Sequence, residues 1–567
     1  MRMGQRQQEY VMEGPVQIDE SRTPWLSIIV LAAAVACLYW FIDTRSTLWD
    51  RDEPRFSRAT AEMLESGNYL YPTFNGRLRP DKPILIYWLM SVPMRVLGPT
   101  SLACRFFGAV GIAVTCIFTF LIARRFTGDK AGLWSMAILA STSMVIVEGT
   151  AATSDAILLP CMVAVMVFFA HGITAGLRWY DGIGMGLALG AGLLAKGPVA
   201  LLPIVVIVVT LWLTRKSKIR IAPHLGRLGG ATVIGALLFV AWAIPANNAT
   251  GGEFLRLGIG HHVLARSARP LEHHGGAFLL HLPYYLPVIL AGFFPWTLHL
   301  PGAISAVVNR RVGFAHFREL FLAWVVAIVV IMTLVATKLP HYVLFTWPAM
   351  ALAVGGTLAA ASQGRLAEAD RRWLRGGVWF FGPVAGGAIV ALFAAPFWLH
   401  VPGAIAAFWA SAAVLLGISV WAIRQQLQDR PQASSVTLLA GMLLLQVPLM
   451  LGAMPALEKL KVSPALAEAV KQRTAGEVPV ATFKYGEPTL NFYIGRRIET
   501  LAGEEAVADW ARQSGPGVLI VPRAVLTGIE QRYGSLGLEP IAAKEGLSFS
   551  KGKMLEVVAL LRREGNP

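Results

Sequence analysis

The chain has 567 residues, 55% hydrophobic and 15% charged, with a mean hydropathy of +0.56 and a formal net charge of +16. Its apolar residues fall in repeated blocks long enough to cross a hydrocarbon core of roughly 30 Å, which excludes a soluble globular enzyme and predicts a polytopic α-helical membrane protein. The excess of 50 Lys and Arg over 34 Asp and Glu gathers in short loops between those blocks, so it is a topology signal and not a nucleic-acid footprint.

Read in chain order, the blocks predict about thirteen spans, at 24–43, 102–122, 131–149, 155–175, 181–196, 198–213, 229–248, 278–302, 320–337, 341–361, 377–397, 401–422 and 436–454. Alternate short loops differ sharply in charge. One set carries Arg124, Arg125, Lys130, Arg178, Arg215, Lys216, Arg310, Arg311, Arg371 and Arg372 among others, whereas the opposite set holds Lys196 and Lys338 only. Basic loops stay cytoplasmic, so the N-terminus is expected in the cytoplasm and the C-terminus on the far side. The first block follows Arg2, Arg6 and Arg22, and no small-residue cleavage pattern follows it, so it reads as a retained helix. Cys37, Cys104, Cys116 and Cys161 all fall in apolar spans without metal-ligand spacing and read as packing residues.

Two segments break the helical rhythm and are expected outside the membrane, on the outer face. From 44 to 101 the chain carries WDRDEPRFSR, which as residue types alone suits a solvated loop or a surface anchor as well as a site. In PRFSRATAEMLESG, Phe56, Met63 and Leu64 recur at helical spacing opposite Arg55, Arg58 and Glu62, with Pro54 near the start and Gly67 past the end. That predicts an amphipathic helix in the membrane interface. From about Pro455, VPVATF, FYIG, GVLIVP and MLEVVALL are strand candidates among helical pieces such as SPALAEAVKQR. The expected division is a transmembrane unit, 1–454, which includes the first outer loop, and a small α/β domain, 455–567.

The outer face collects the chemistry. Asp52, Glu53, Arg55, Arg79, Asp81 and Lys82 lie in the first loop, Asp155 and Lys196 at span ends, His261, His262 and Arg266 in the next outer loop, and Lys338, His341 and Tyr342 in TKLPHYVLF. Each has a structural alternative: Asp155 in TSDAILL suits a helix N-cap, Lys196 and Lys338 suit snorkelling, and the histidine pair lacks HExxH spacing. Their joint placement at one membrane level points to function, because ionisable groups there are costly. Lys82, Arg55, Arg79 and Arg266 suit a phosphate-bearing lipid, and a carboxylate beside them suits glycosyl transfer, as base, metal holder or partner of a charged sugar substituent. No GxxxxGK[ST] occurs, and the glycines of GIGMGLALGAG lie in an apolar span, where close helix packing accounts for them.

The run DEPRFSRATAEMLESGNYLYPTFNGRLRPDKPILIYW, with LLAKGPVAL, YYLPVILAGFFPWTLHLPGA and KLPHYVLFTWPAMAL, resembles the GT-C membrane glycosyltransferases of the dolichyl-phosphate-mannose and aminoarabinose transferase family. The resemblance covers most of residues 25–360 and is strongest to the 4-amino-4-deoxy-L-arabinose transferases of lipid A. It implies an inverting transfer of that aminosugar from undecaprenyl phosphate to a lipid A phosphate at the periplasmic face of the bacterial inner membrane, with resistance to polymyxin and cationic peptides as the consequence. It further implies Asp52 and Asp155 as the acidic catalytic positions, Lys82 at the donor phosphate and Tyr342 as a matched substrate position; the residue chemistry adds Arg55 to the catalytic set and Glu53, Arg79, Arg266, Lys338 and Lys196 at the substrates. A divalent metal (Zn, Mg or Mn) would sit near Asp81 and His262. Asp81 stands where the family more often has Glu, and the spacing of His262 to Arg266 departs from the family pattern. The implied partners are the lipid-linked donor, lipid A and membrane lipid, with the protein a monomer that takes no nucleic acid. A protein O-mannosyltransferase-like enzyme and another envelope glycosyltransferase remain open. A transporter, which would show inverted repeats and a midplane site, fits less well. The outer domain lacks a clustered His, Asp or Cys constellation, and is expected to shield the site or select the acceptor.

Overall fold

The computed structural model describes residues 25–42, 44, 46–176, 178–216, 220–259, 283–313, 316–474, 478–549 and 552–563. Helix α1, Trp25–Ile42, carries no charge. The outer loop folds as α2, Asp52–Ser66, a hairpin of β1, Thr73–Phe74, and β2, Arg77–Leu78, and then α3, Leu85–Leu97. The helices that follow are α4, Ser101–Thr127, α5, Asp129–Ala140, α6, Ser143–Gly149, α7, Ser154–Ala175, α8, Trp179–Lys196, α9, Leu202–Leu213, α10, Ile221–Ala249, and α11, Glu253–Ile259. After them come α12, Tyr285–Gly292, α13, Leu300–Val308, α14, Phe317–Leu334, α15, Thr346–Ser362, α16, Glu368–Gly376, α17, Val378–Trp398, α18, Ile405–Leu427, and α19, Pro431–Pro448.

Among the described residues nine segments are long and apolar enough to cross a membrane, and α5 with α6, bent by 66° between them, would make ten. The expected thirteen differ from this at identifiable places. Trp179–Leu213 is continuous by composition, but Gly197, at φ 71, breaks it. Gly182, Gly186 and Gly190 of α8 face Arg227, Ile234 and Leu238 of α10 in that order, so the two helices run parallel and α9 returns between them. A Cβ at Gly186 would meet that of Ile234 at 2.6 Å, which is why this stripe is glycine. The run expected at 278–302 is interrupted at Pro295 between α12 and α13. In the run at 341–361 the first turn is a separate 3-10 turn, Pro340–Val343, leaving α15 with 17 residues.

Helix α2 ends on Gly67 at φ 69, as its sequence predicts. Neither of its faces is left open. Phe56 and Met63 are buried, but so are Arg58 and Glu62 on the opposite side. Arg58 pairs with Glu62 at 3.2 Å and Glu65 at 2.7 Å and donates to the Gly495 carbonyl, while Glu62 accepts from Thr73 and the Asn75 amide. The charged face is therefore roofed by the β1–β2 hairpin and the C-terminal region, a tertiary cover that helical periodicity cannot show.

That region contains α20, Met454–Glu458, α21, Val462–Arg473, β3, Val480–Thr482, α22, Pro488–Ile494, β4, Ile498–Thr500, α23, Glu504–Arg512, β5, Gly517–Pro522, α24, Arg523–Tyr533, β6, Glu539–Ser548, and β7, Lys553–Arg562. Its sheet has the order β4-β3-β5-β7-β6, with β3 parallel to β4 and β5 and with β7 antiparallel to β5 and β6. Three expected strands are present. FYIG is not one of them: it closes α22, where Pro488 at the start and Gly495 at φ 77 set helix bounds that outweigh the β-propensity of its aromatics. Strand alternation sends Val518 and Ile520 of β5 into one core with Leu466 and Val470, and Leu519 and Val521 into another with Trp510 and Ile529. Phe492 of α22 joins the core of the helical bundle, and Asn75 exchanges two 2.8 Å hydrogen bonds with the Ile498 backbone on edge strand β4.

Candidate active site

A cavity of about 170 Å³ opens where the outer loop, the ends of α7 and α8 and the Pro340–Val343 turn meet. Each polar group reaches it for a local reason. Thr153 is extended and starts α7, which puts Asp155 in the first turn. Gly197 stops α8 and leaves Lys196 at its last residue, and Pro340 opens the turn that carries His341 and Tyr342. Asp81 and Lys82 enter from the segment before α3. Lys196 donates to both Asp155 oxygens at 2.6 Å, and its ammonium lies 5.8 Å from the Tyr342 ring centroid. The remaining wall is apolar, with Leu158, Met162, Leu202 and Phe345.

Asp52 is the first residue of α2 and is exposed. Its carboxylate has no hydrogen bond or ion pair among the described residues, yet it lies within electrostatic range of Glu148, His341 and Arg79. Arg55, one turn later, is half-buried. Glu148, which sequence reasoning missed, is buried beside Asp155 and Lys196 and accepts from Thr153 at 2.9 Å. His341, expected on the outer face without a role, lines the same cavity.

Other expected site residues are engaged elsewhere. Glu53 is buried against Arg105, with contacts of 2.7 Å from Nε and from one terminal nitrogen, and it also accepts from the Trp49 and Ala152 amides. Burial alone would raise its pKa, but the Arg105 guanidinium and those donors hold the carboxyl below the usual range. All of its lone-pair directions are used, so it is a brace for the loop and is not presented to a ligand. Arg79 is buried, pairs with Asp81 at 2.9 Å, donates to Tyr87 and stacks over Phe56. Lys338 donates to the carbonyls of Met332, Thr333 and Val335, capping the end of α14. It stays out of the cavity because those orphan carbonyls are nearer. His262 and Arg266 lie outside the described residues.

Of the two expected metal ligands only Asp81 is among the described residues. Among the described residues no three His, Cys, Asp or Glu side chains come together, and Asp81 already faces the Arg79 guanidinium.

A family model for dolichyl-phosphate-mannose-protein mannosyltransferase matches residues 81–243. The undecaprenyl phosphate-alpha-4-amino-4-deoxy-L-arabinose arabinosyl transferase 2 of Sodalis glossinidius is 31% identical over 328 residues, covering 57% of this chain and 58% of the relative. The corresponding transferase of Pectobacterium atrosepticum is 29% identical over 378 residues, 65% of each. The chain thus matches less than two thirds of the length of these relatives. The crystal structure of ArnT from Cupriavidus metallidurans bound to undecaprenyl phosphate superposes with a TM-score of 0.77 at 21% identity, covering 95% of this chain and 98% of that one. The apo form gives 0.76 at 20% identity. The fold is that of ArnT. An ArnT-like GT-C architecture explains why the polar groups collect at one end of the helices: spans α7 and α8 and the turn before α15 all deliver their ends to the level of the outer loop.

Proposed function

We propose that the chain is a GT-C glycosyltransferase that moves 4-amino-4-deoxy-L-arabinose from undecaprenyl phosphate to a lipid A phosphate at the periplasmic face of the bacterial inner membrane, protecting the cell against polymyxin and cationic peptides. The observation that carries this reading is the single cavity in which Lys82, Lys196, Asp155 and Tyr342 meet above an apolar wall, a shape suited to a phosphate on an isoprenoid. The similarity to named aminoarabinosyl transferases supplies the sugar and donor. In the same reading the N-terminus is cytoplasmic, residues 455–567 form a periplasmic domain, and the protein acts as a monomer.

The chemistry is a displacement at the anomeric carbon. An acceptor phosphate oxygen forms the new C–O bond as the bond to undecaprenyl phosphate breaks, and the electron pair leaves with the donor phosphate. A phosphate monoester has a second pKa near 6 and is already largely a dianion at neutral pH, so no strong base is required. Asp52, exposed and without a hydrogen bond or ion pair among the described residues, aligns the acceptor or pairs with the sugar ammonium. Lys82 and Tyr342 meet the charge that develops on the leaving phosphate, and Arg55, one turn after Asp52, adds a further cation. Asp155 holds Lys196 in place beside Tyr342. Mass spectrometry of lipid A from envelopes with and without the protein tests the proposal. An aminopentose on phosphate is expected, and its absence with intact donor supply would sink it.

A further inference from the structure

The stretch just before Asp52 is gripped from the C-terminal region one residue at a time. Thr47 gives its amide to Glu458 at 3.0 Å, and Lys461 donates to the Thr47 carbonyl at 2.7 Å. The Leu48 amide donates to the Tyr493 hydroxyl at 2.7 Å. Trp49 lies under the Lys461 ammonium, 3.7 Å from its ring centroid, and packs edge-on against Phe549. Asp50 accepts from the Thr489 amide at 3.0 Å and the Thr489 hydroxyl at 2.6 Å. Four consecutive residues therefore take their positions from side chains and backbone between 458 and 549. Beyond Asp52, Glu53 is locked to Arg105 of α4. Asp52 lies between two fixed points, one in the membrane bundle and one in the C-terminal region, although it touches neither.

We propose that Thr489, through Asp50, is a positioning residue for Asp52, so that the C-terminal domain sets the geometry of the reacting carboxylate as well as serving acceptor selection. This inference rests on the functional reading above. A solvated loop of this kind samples many conformers, and misplacement by about 1 Å can cost on the order of 10²-fold in rate. Four successive anchors remove that freedom before substrate arrives.

The anchor has a second property. Asp50 is half-buried and shares a small cavity with Lys461 and Glu487, which itself accepts from Ser548 at 2.6 Å and from Tyr485. Burial pushes the Asp50 carboxyl up to about 7, the Thr489 donors oppose this, and the neighbouring Glu487 charge adds to it. A raised acid pKa stabilises the docked state fully below the ordinary carboxylate range near 4. That contribution declines as the pH rises and is gone above about 7.

The test uses the full-length protein in detergent or nanodiscs with the lipid-linked donor and lipid A. Thr489→Ala is expected to lower kcat roughly ten- to a hundredfold with little change in the acceptor KM, and Thr489→Ser to restore most of it. Asp50→Asn keeps an acceptor for the Thr489 amide and removes the titration: the unsubstituted protein is expected to lose kcat as the pH rises through 7, and the variant to show a flattened profile. Arg523→Gln, at an exposed ion pair with Glu556, is the control. Hydrogen exchange over residues 47–56 is read without substrate, and Thr489→Ala should speed it while exchange in the α4 and α7 peptides stays the same. An unchanged kcat, a change confined to KM, or unaltered exchange would overturn the proposal. If the unsubstituted protein transfers no aminoarabinose, the functional reading fails and exchange alone decides the junction.

Discussion

Asp50, Asp52 and Glu53 are separated by at most three positions and face three different worlds. Glu53 is buried under Arg105, Asp50 is clasped by Thr489, and Asp52 is exposed and unbonded among the described residues. At the far side of the cavity, Asp155 is again fully engaged, by Lys196. The contrast teaches that acidic residues at one membrane level divide into braces and a free group. A carboxylate whose lone pairs are occupied fixes the backbone, whereas the one without partners among the described residues is available to a substrate.

The largest effect should come from the free group. Asp52→Asn removes the charge while conserving shape and no protein contact is lost, so kcat should fall on the order of 10²–10³-fold with an unchanged melting temperature. Unfolding on this substitution, or near-normal turnover, would erase the distinction between Asp52 and its neighbours. Arg105→Ala probes the brace and should act in the opposite way, through stability. It strands Glu53 in a buried site, a loss of about 3–5 kcal/mol, visible as a lowered thermal midpoint and a loop that exchanges rapidly. A full-strength midpoint with only a kinetic defect would place Glu53 with Asp52 after all.

How much of this was legible depends on whether the signal was local. Asp155 and Lys196 stand at helix ends written into TSDAILL and AKGP, so their arrival at one level follows from span register. The glycines of α8 read as close helix packing from the sequence, and the structure supplies the partner, α10, met at every fourth residue. Asp52 and Glu53 are neighbours on a helix, about 100° apart by a repeat of 3.6 residues, so only one could face the cavity, but the choice needed Arg105, an arginine inside an apolar span with no adjacent charge. Glu148 sits at the end of SMVIVEG and becomes conspicuous only once the bend after α5 folds it under α7. The clasp of Asp50 by Thr489 joins positions 439 apart, and strands β4 and β6 lacked the apolar pattern that revealed β5 and β7.

Lys338 sharpens the comparison from the cationic side. Lys82 and Lys196 line the cavity, whereas Lys338 caps α14. Lys82→Ala should therefore cost turnover, while Lys338→Met should leave kcat within about twofold and lower stability by ~1 kcal/mol, the worth of a few backbone hydrogen bonds at a helix end. A collapse of turnover in the stable Lys338→Met protein would return that residue to the substrate.

The smallest effects belong to exposed charge on the C-terminal domain. Lys484 and Arg497 lie on its surface, remote in role from Thr489 on the same domain, and an exposed charge exerts its pull through screened, long-range attraction. Arg497→Gln in particular lies beside Gly76 of the hairpin and borders a groove shared with Arg77, where an anionic acceptor head group would pass. Its neutralisation should raise the apparent acceptor KM by about two- to threefold at low salt, with kcat intact and the difference shrinking as salt is added. Thr489→Ala should show the reverse, a kcat defect that salt leaves alone. If Arg497→Gln instead lowered kcat without touching KM, the surface and the junction of the domain would be performing one job, and the separation drawn between acceptor capture and placement of Asp52 would fail.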